Sequence, residues 1–192
     1  MISIRISGTA VRIHFSFLVF NALIFLFRSS SLILAFYTVC AIHEAGHLVA
    51  IALCGGSVRA VDLSAAGIRI VTQKGGTIPL RSSIFVLLSG PTANIVVYSV
   101  MKLSDCDGIF PLLNLSTAMY NMLPYYSLDG GALICTLTEG RACERTAFLA
   151  MKALGILNIA LSALAVCQFG SRAMPLLIAS SALFAGDMRF KR

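Results

Sequence analysis

Six apolar segments, roughly 13–27, 31–54, 83–101, 109–136, 147–169 and 173–188, occupy most of the chain, and the charged residues sit in the gaps between them. Charged residues make up 12% of the 192 residues and apolar ones 58%. A soluble domain carries about a quarter charged residues, so this pattern predicts a multi-spanning membrane protein. The second and fifth segments are long enough to cross about 30 Å of hydrocarbon as helices at about 1.5 Å per residue. The first and last are short for that purpose and would thin the bilayer or lean on longer neighbours. The fourth holds Pro124 and Asp129-Gly130-Gly131, so a break is expected near its end. Arg5 and Arg12 precede the first segment as in a signal peptide, but no A-x-A cleavage pattern follows, and the segment reads as a retained span.

Residues 57–81 have a different texture. Val58, Val61, Leu63, Ile68, Ile70 and Val71 alternate imperfectly with polar or small residues, and Gly75-Gly76 offers a turn. This reads as a short hairpin or edge strands between the second and third helices. The expected fold is therefore an all-α polytopic membrane protein, about six transmembrane helices with one β-hairpin-like insertion, forming a single domain over residues 1–192.

The formal charge of +7 does not indicate nucleic acid, because the cations form no single basic face and no nucleic-acid motif is present. Six spans would place Arg5, Arg12, Arg59, Arg69, Lys74, Arg81, Arg141, Arg145, Arg189, Lys191 and Arg192 on one side and only Arg28, Lys102 and Arg172 on the other. The positive-inside rule then puts both termini in the cytoplasm. The six cysteines are scattered without a C-x-x-C pair, so neither a zinc knuckle nor a disulfide framework is expected.

The second segment contains His43-Glu44-Ala45-Gly46-His47. Residues four apart share a helix face, so both imidazoles can bind one zinc ion, with Glu44 beside a metal-held water. Burying two imidazoles and a carboxylate in an apolar span is costly unless they serve a function. A catalytic zinc site takes three protein ligands and an open position. His14, the remaining histidine, reads as an interfacial or packing residue. Asp62, Asp105, Asp107, Glu139 and Glu144 fall in expected loops and Asp187 at the end of the last span, which leaves Asp129. Taken alone, Asp129 has a second, weaker reading as a helix-end cap beside a diglycine turn. Depth favours a ligand. The second and fourth spans run in the same direction with their polar residues late, and the third runs oppositely with Asn94 early, so His43, His47, Asn94 and Asp129 converge on one layer near the cytoplasmic face. Asn94 and Asn121 either orient the site, bind substrate backbone or join helices.

HEAGH in the second span, SGPTAN in the third and NMLPYYSLDGG in the fourth, in that order, resemble the site-2 protease family of intramembrane zinc metalloproteases, and the six-span layout is most similar to the branch containing the bacterial sporulation protease. The resemblance implies one zinc ion per chain held by His43, His47 and Asp129, Glu44 as catalytic base, and a strand-like segment after the second span that receives unwound substrate. It implies regulated cleavage of membrane-embedded proteins in a cell membrane. The expected partners are a membrane-anchored substrate and the lipid bilayer, with room for a regulatory membrane partner. No PDZ-like or C-terminal regulatory domain is expected. The same residues also admit a silent pseudoprotease that binds clients, or a metal transporter. The transporter would need a polar path across the bilayer, and the outer halves of the spans offer little beyond Asn21 and Asn114.

Overall fold

The structure is a computed structural model that describes residues 2–6, 8–15, 17–19, 21–22, 30–64, 67–72, 79–170 and 174–189. It divides into two compact units, Met1–Ala118 and Met119–Arg192.

The first unit opens with strands β1 (Ile2–Ile6) and β2 (Thr9–Ile13), in which β-branched residues alternate with Ser3, Arg5, Ala10 and Arg12. Gly8, with a φ of +86°, turns the chain between them. After helix α1 (Ser30–Leu53) come β3 (Val58–Ser64) and β4 (Gly67–Thr72). The four strands form one sheet in the order β1-β2-β3-β4. The outer pairs are antiparallel, from Ile2↔Ile13 to Ile6↔Thr9 and from Val58↔Thr72 to Ser64↔Gly67. The central pair β2–β3 is parallel, Ala10↔Ala60 to Ile13↔Leu63. Thr9 Oγ1 donates to the Val58 carbonyl at 3.1 Å, and the register partners Arg12 and Asp62 form an ion pair at 3.5 Å.

The hairpin expected within 57–81 is present, but it closes between Ser64 and Gly67; the Gly75-Gly76 turn lies outside the described residues. The chain is mostly helical with a four-stranded sheet rather than helical with a lone hairpin, because β1 and β2 add to the hairpin's β3 side. Asp62, expected in a loop, is a strand residue. Of the first apolar segment, residues 15, 17–19 and 21–22 are helical and most of the rest lies outside the described residues.

Helix α2 (Leu80–Leu103) packs along α1. Two glycines set the approach. A Cβ on Gly46 would stand 2.6 Å from the Ser89 carbonyl oxygen and 3.1 Å from the Gly90 Cα, so the pair meets backbone to backbone, as membrane helices do at small residues. Pro91 lies inside α2 and is buried. Helix α3 (Ile109–Asn121) begins in the first unit and its last turn opens the second.

The second unit continues through a turn to α4 (Asp129–Thr138), then α5 (Glu144–Phe169) and α6 (Met174–Arg189). The expected break in the fourth segment is thus a non-helical stretch between α3 and α4. In α5, Gly155 admits the Phe184 ring of α6, and Ser180 Oγ donates to Ser162 Oγ at 3.1 Å, a buried bond between the two helices.

Three helices, Ser31–Leu53, Leu80–Leu103 and Glu144–Phe169, are long and apolar enough to cross a membrane, and at most 22% of any of their apolar windows is buried inside the molecule. Leu34, Leu53, Val96, Leu103, Leu157 and Leu164 face outward at half or more exposure. A surface this apolar needs hydrocarbon as its solvent. The chain is a membrane protein.

Candidate metal centre and catalytic residues

His43 and His47 project from one face of α1 and are 5% and 8% exposed. Their Nε2 atoms stand 3.1 Å apart, with the rings edge to face at 81°. Two nitrogens each at about 2.0–2.1 Å from a tetrahedral zinc stand about 3.3 Å apart, so the pair has ligand spacing. The Nδ1 of His47 lies 2.8 Å from the Val86 carbonyl oxygen. A carbonyl only accepts, so Nδ1 carries the proton and Nε2 keeps its lone pair for a metal. Ser89 Oγ, 3.5 Å from the same Nδ1, donates to that carbonyl at 2.6 Å.

Gly90 is the floor under the rings. A Cβ there would stand 2.3 Å from His47 Nε2 and 2.9 Å from His43 Cε1. The α2 backbone therefore lies where a side chain would push the imidazoles apart. Asn94, one helical turn along α2, is fully buried, and neither its Oδ1 nor its Nδ2 has a hydrogen-bond partner among the described residues. Glu44 is half-buried next to His43 on α1.

Asp129 is the first residue of α4, after Leu128 in extended backbone (φ −112°, ψ 162°). A carboxylate suits the positive end of that helix. The preceding stretch is folded tightly: the Tyr125 N–H donates to the Leu123 carbonyl at 2.8 Å and the Leu128 N–H to the Tyr125 carbonyl at 2.9 Å. Gly130 and Gly131 make this possible, since Cβ atoms there would lie 2.2 Å from the Met122 oxygen and 1.9 Å from the Tyr125 oxygen. Asn121 ends α3 and is half-buried.

The donor atoms of His43, His47 and Asp129 all lie within 4.8 Å of one another, the one group of three or more such donors so spaced among the described residues. Two imidazoles and a carboxylate make a donor set that suits zinc and leaves a fourth position open. His14 is not in the group; its backbone N–H continues the sheet, donating to the Leu63 carbonyl at 2.9 Å. Sequence reasoning singled out His43, His47, Glu44 and Asp129. It missed the Val86 carbonyl, because a backbone acceptor leaves no mark on residue identity.

Along its whole length the chain superimposes on a site-2 protease from Methanocaldococcus jannaschii with a TM-score of 0.69 and 18% identity, covering 96% of that chain. The fold is that of a site-2 protease. In sequence, the chain is 29% identical over 104 residues to stage IV sporulation protein FB of Bacillus subtilis (strain 168), a match that takes in 50% of this chain and 36% of that protein. The chain thus covers about a third of that relative's length. No family model matches. The resemblance carried by HEAGH, SGPTAN and NMLPYYSLDGG therefore holds at the level of the fold, and in this chain the three motifs fall on α1, on α2 and across the turn from the end of α3 into α4.

Proposed function

We propose that the chain is an intramembrane zinc metalloendopeptidase, one domain over residues 1–192, that hydrolyses peptide bonds of membrane-embedded proteins near the cytoplasmic face. The observation that carries this reading is the grouping of the His43, His47 and Asp129 donors within 4.8 Å, with Glu44 beside them on an otherwise apolar helix. When bound, zinc polarises the scissile carbonyl and lowers the pKa of a water to about 7. His43, His47 and Asp129 hold the ion. The Val86 carbonyl fixes the His47 tautomer, and Gly90 keeps the ring pair together. Glu44 takes the proton of the attacking water and delivers it to the leaving amine. Asn94 and Asn121 orient the site or bind the substrate backbone. The excess of Lys and Arg on one set of loops supports a six-span, multi-pass protein with both termini in the cytoplasm.

The test is Glu44→Gln in the full chain, read by cleavage of a membrane-anchored reporter and by metal analysis. A general base contributes about 10²–10⁴ in rate, so the variant should retain one zinc per chain and lose cleavage by at least that lower factor. Equal cleavage in the two proteins would remove Glu44 as base. Zinc binding without cleavage in either protein would favour a client-binding pseudoprotease.

A further inference from the structure

The second unit contains a cavity of about 370 Å³ that the proposed chemistry does not use. It lies between the end of α4 and the start of α5, and its lining is divided. Thr138, Arg141 and Arg145 form one part; Phe148 and Met151 form the other. Arg141 and Arg145 are exposed, and neither side chain forms an ion pair or hydrogen bond among the described residues. The acidic residue of the lining, Glu144, accepts from the Gly140 N–H at 2.8 Å. Met151 is buried, and Lys152 sits over the Phe148 ring at 4.5 Å, adding a third cation beside the apolar wall.

The position of this cavity gives the division a meaning. Helix α5 is 26 residues long and one of the three able to cross a membrane, so its first turn stands where hydrocarbon gives way to headgroups. The positive end of that helix and two guanidiniums favour a phosphate, which arginine binds through paired N–H donors. The apolar wall continues from them along α5 in the direction that acyl chains run. A free phosphate would use the arginines and waste the wall; an apolar chain would do the reverse.

We propose that this cavity binds the phosphate of an anionic membrane phospholipid, with the headgroup on Arg141 and Arg145 and the start of the acyl chains against Phe148 and Met151. The proposal rests on the chain being embedded in a membrane and not on its cleaving anything.

The test is native mass spectrometry of the full chain in detergent, with phosphatidylglycerol, phosphatidylcholine and water-soluble glycerol 1-phosphate as probes. Wild type should retain phosphatidylglycerol about thirtyfold over phosphatidylcholine, as two basic residues at a charged surface would give. Glycerol 1-phosphate at equal concentration should not displace it. R141Q/R145Q should lose the preference, and each single variant should lose part of it, while Arg59→Gln, a cation exposed on β3 outside this cavity, should keep it. The single variants decide the matter if the double variant does not fold. An unchanged preference in R141Q/R145Q, or in both single variants, would overturn the proposal. So would equal loss in Arg59→Gln, which would mean a general surface charge, or displacement by glycerol 1-phosphate, which would mean a site for free phosphate.

Discussion

Gly90 is the residue at which packing and chemistry meet. Alanine favours a helix interior over glycine by about 1 kcal/mol, so Gly90→Ala on propensity alone would stabilise α2. The Cβ would stand 2.3 Å from His47 Nε2, and the expected outcome is the opposite: zinc content reduced at least tenfold with helical content retained, measured by metal analysis and circular dichroism. His47→Ala removes a ligand outright and should lose zinc entirely by the same measurement. The role proposed for Glu44 was drawn from its place beside His43, and the grouping of His43, His47 and Asp129 was open to sequence reasoning in the same way, because ligand chemistry depends on side-chain type and spacing. The Val86 carbonyl and the ring-to-backbone contact at Gly90 were not, because they depend on where α2 lies against α1, and no local pattern encodes that. Asn94 stands between these cases: its polarity in an apolar span was visible, but its complete burial without a partner among the described residues was not.

At the scale of elements, the break between α3 and α4 was readable from Pro124 and the diglycine, while its tightness was not. The Gly131 Cβ position lies 1.9 Å from the Tyr125 oxygen. Gly131→Ala should therefore cost about 1–3 kcal/mol through forced backbone movement, seen as a lower melting temperature in detergent together with weaker zinc retention, since the same turn sets Asp129. Gly140 offers a comparison. Its φ is +69° with nothing within 4 Å of a Cβ, so Gly140→Ala should cost only the backbone term, about 1 kcal/mol, and leave zinc binding unchanged. Strands β1 and β2 escaped the sequence reading. Each has five residues, and their arginines made the stretch look like the basic flank of a first span. The alternation of Ile2, Ile4 and Ile6 was the signal that could have found them. The hairpin β3–β4 was legible from its longer alternating run, but its closure between Ser64 and Gly67 was not, because the small residues there fit a strand as well as a turn.

At the scale of the molecule, the length and apolarity of Ser31–Leu53, Leu80–Leu103 and Glu144–Phe169 were plain in the sequence. Helices α3, α4 and α6 are shorter, so counting spans from composition says less about them than about their neighbours. Native cysteines provide a test of the six-span topology. Cys106 and Cys143 are both exposed and fall in loops on opposite expected sides. In chains keeping only one of these cysteines, a membrane-impermeant thiol reagent should label Cys106 in intact cells and Cys143 only in inverted vesicles. Labelling of both from one face would refute the topology. Metal removal also acts on the whole fold. A ligand at about 100 times its Kd stabilises the native state by about 2.7 kcal/mol, so chelation should lower the melting temperature of wild type and of Glu44→Gln alike, and leave His47→Ala unmoved.

The parallel pairing of β2 with β3 has a mechanical corollary. Everything from residue 14 to residue 57, including the helix that bears both imidazoles, is a loop whose two feet are stitched side by side in one ribbon. Only residues 54–57 separate the last turn of α1 from β3, so the sheet anchors that end of the helix, and a 1.5 Å slip would carry the rings off their glycine floor by one residue's rise. The small sheet thus works as a clasp on the end of α1 nearer to His47.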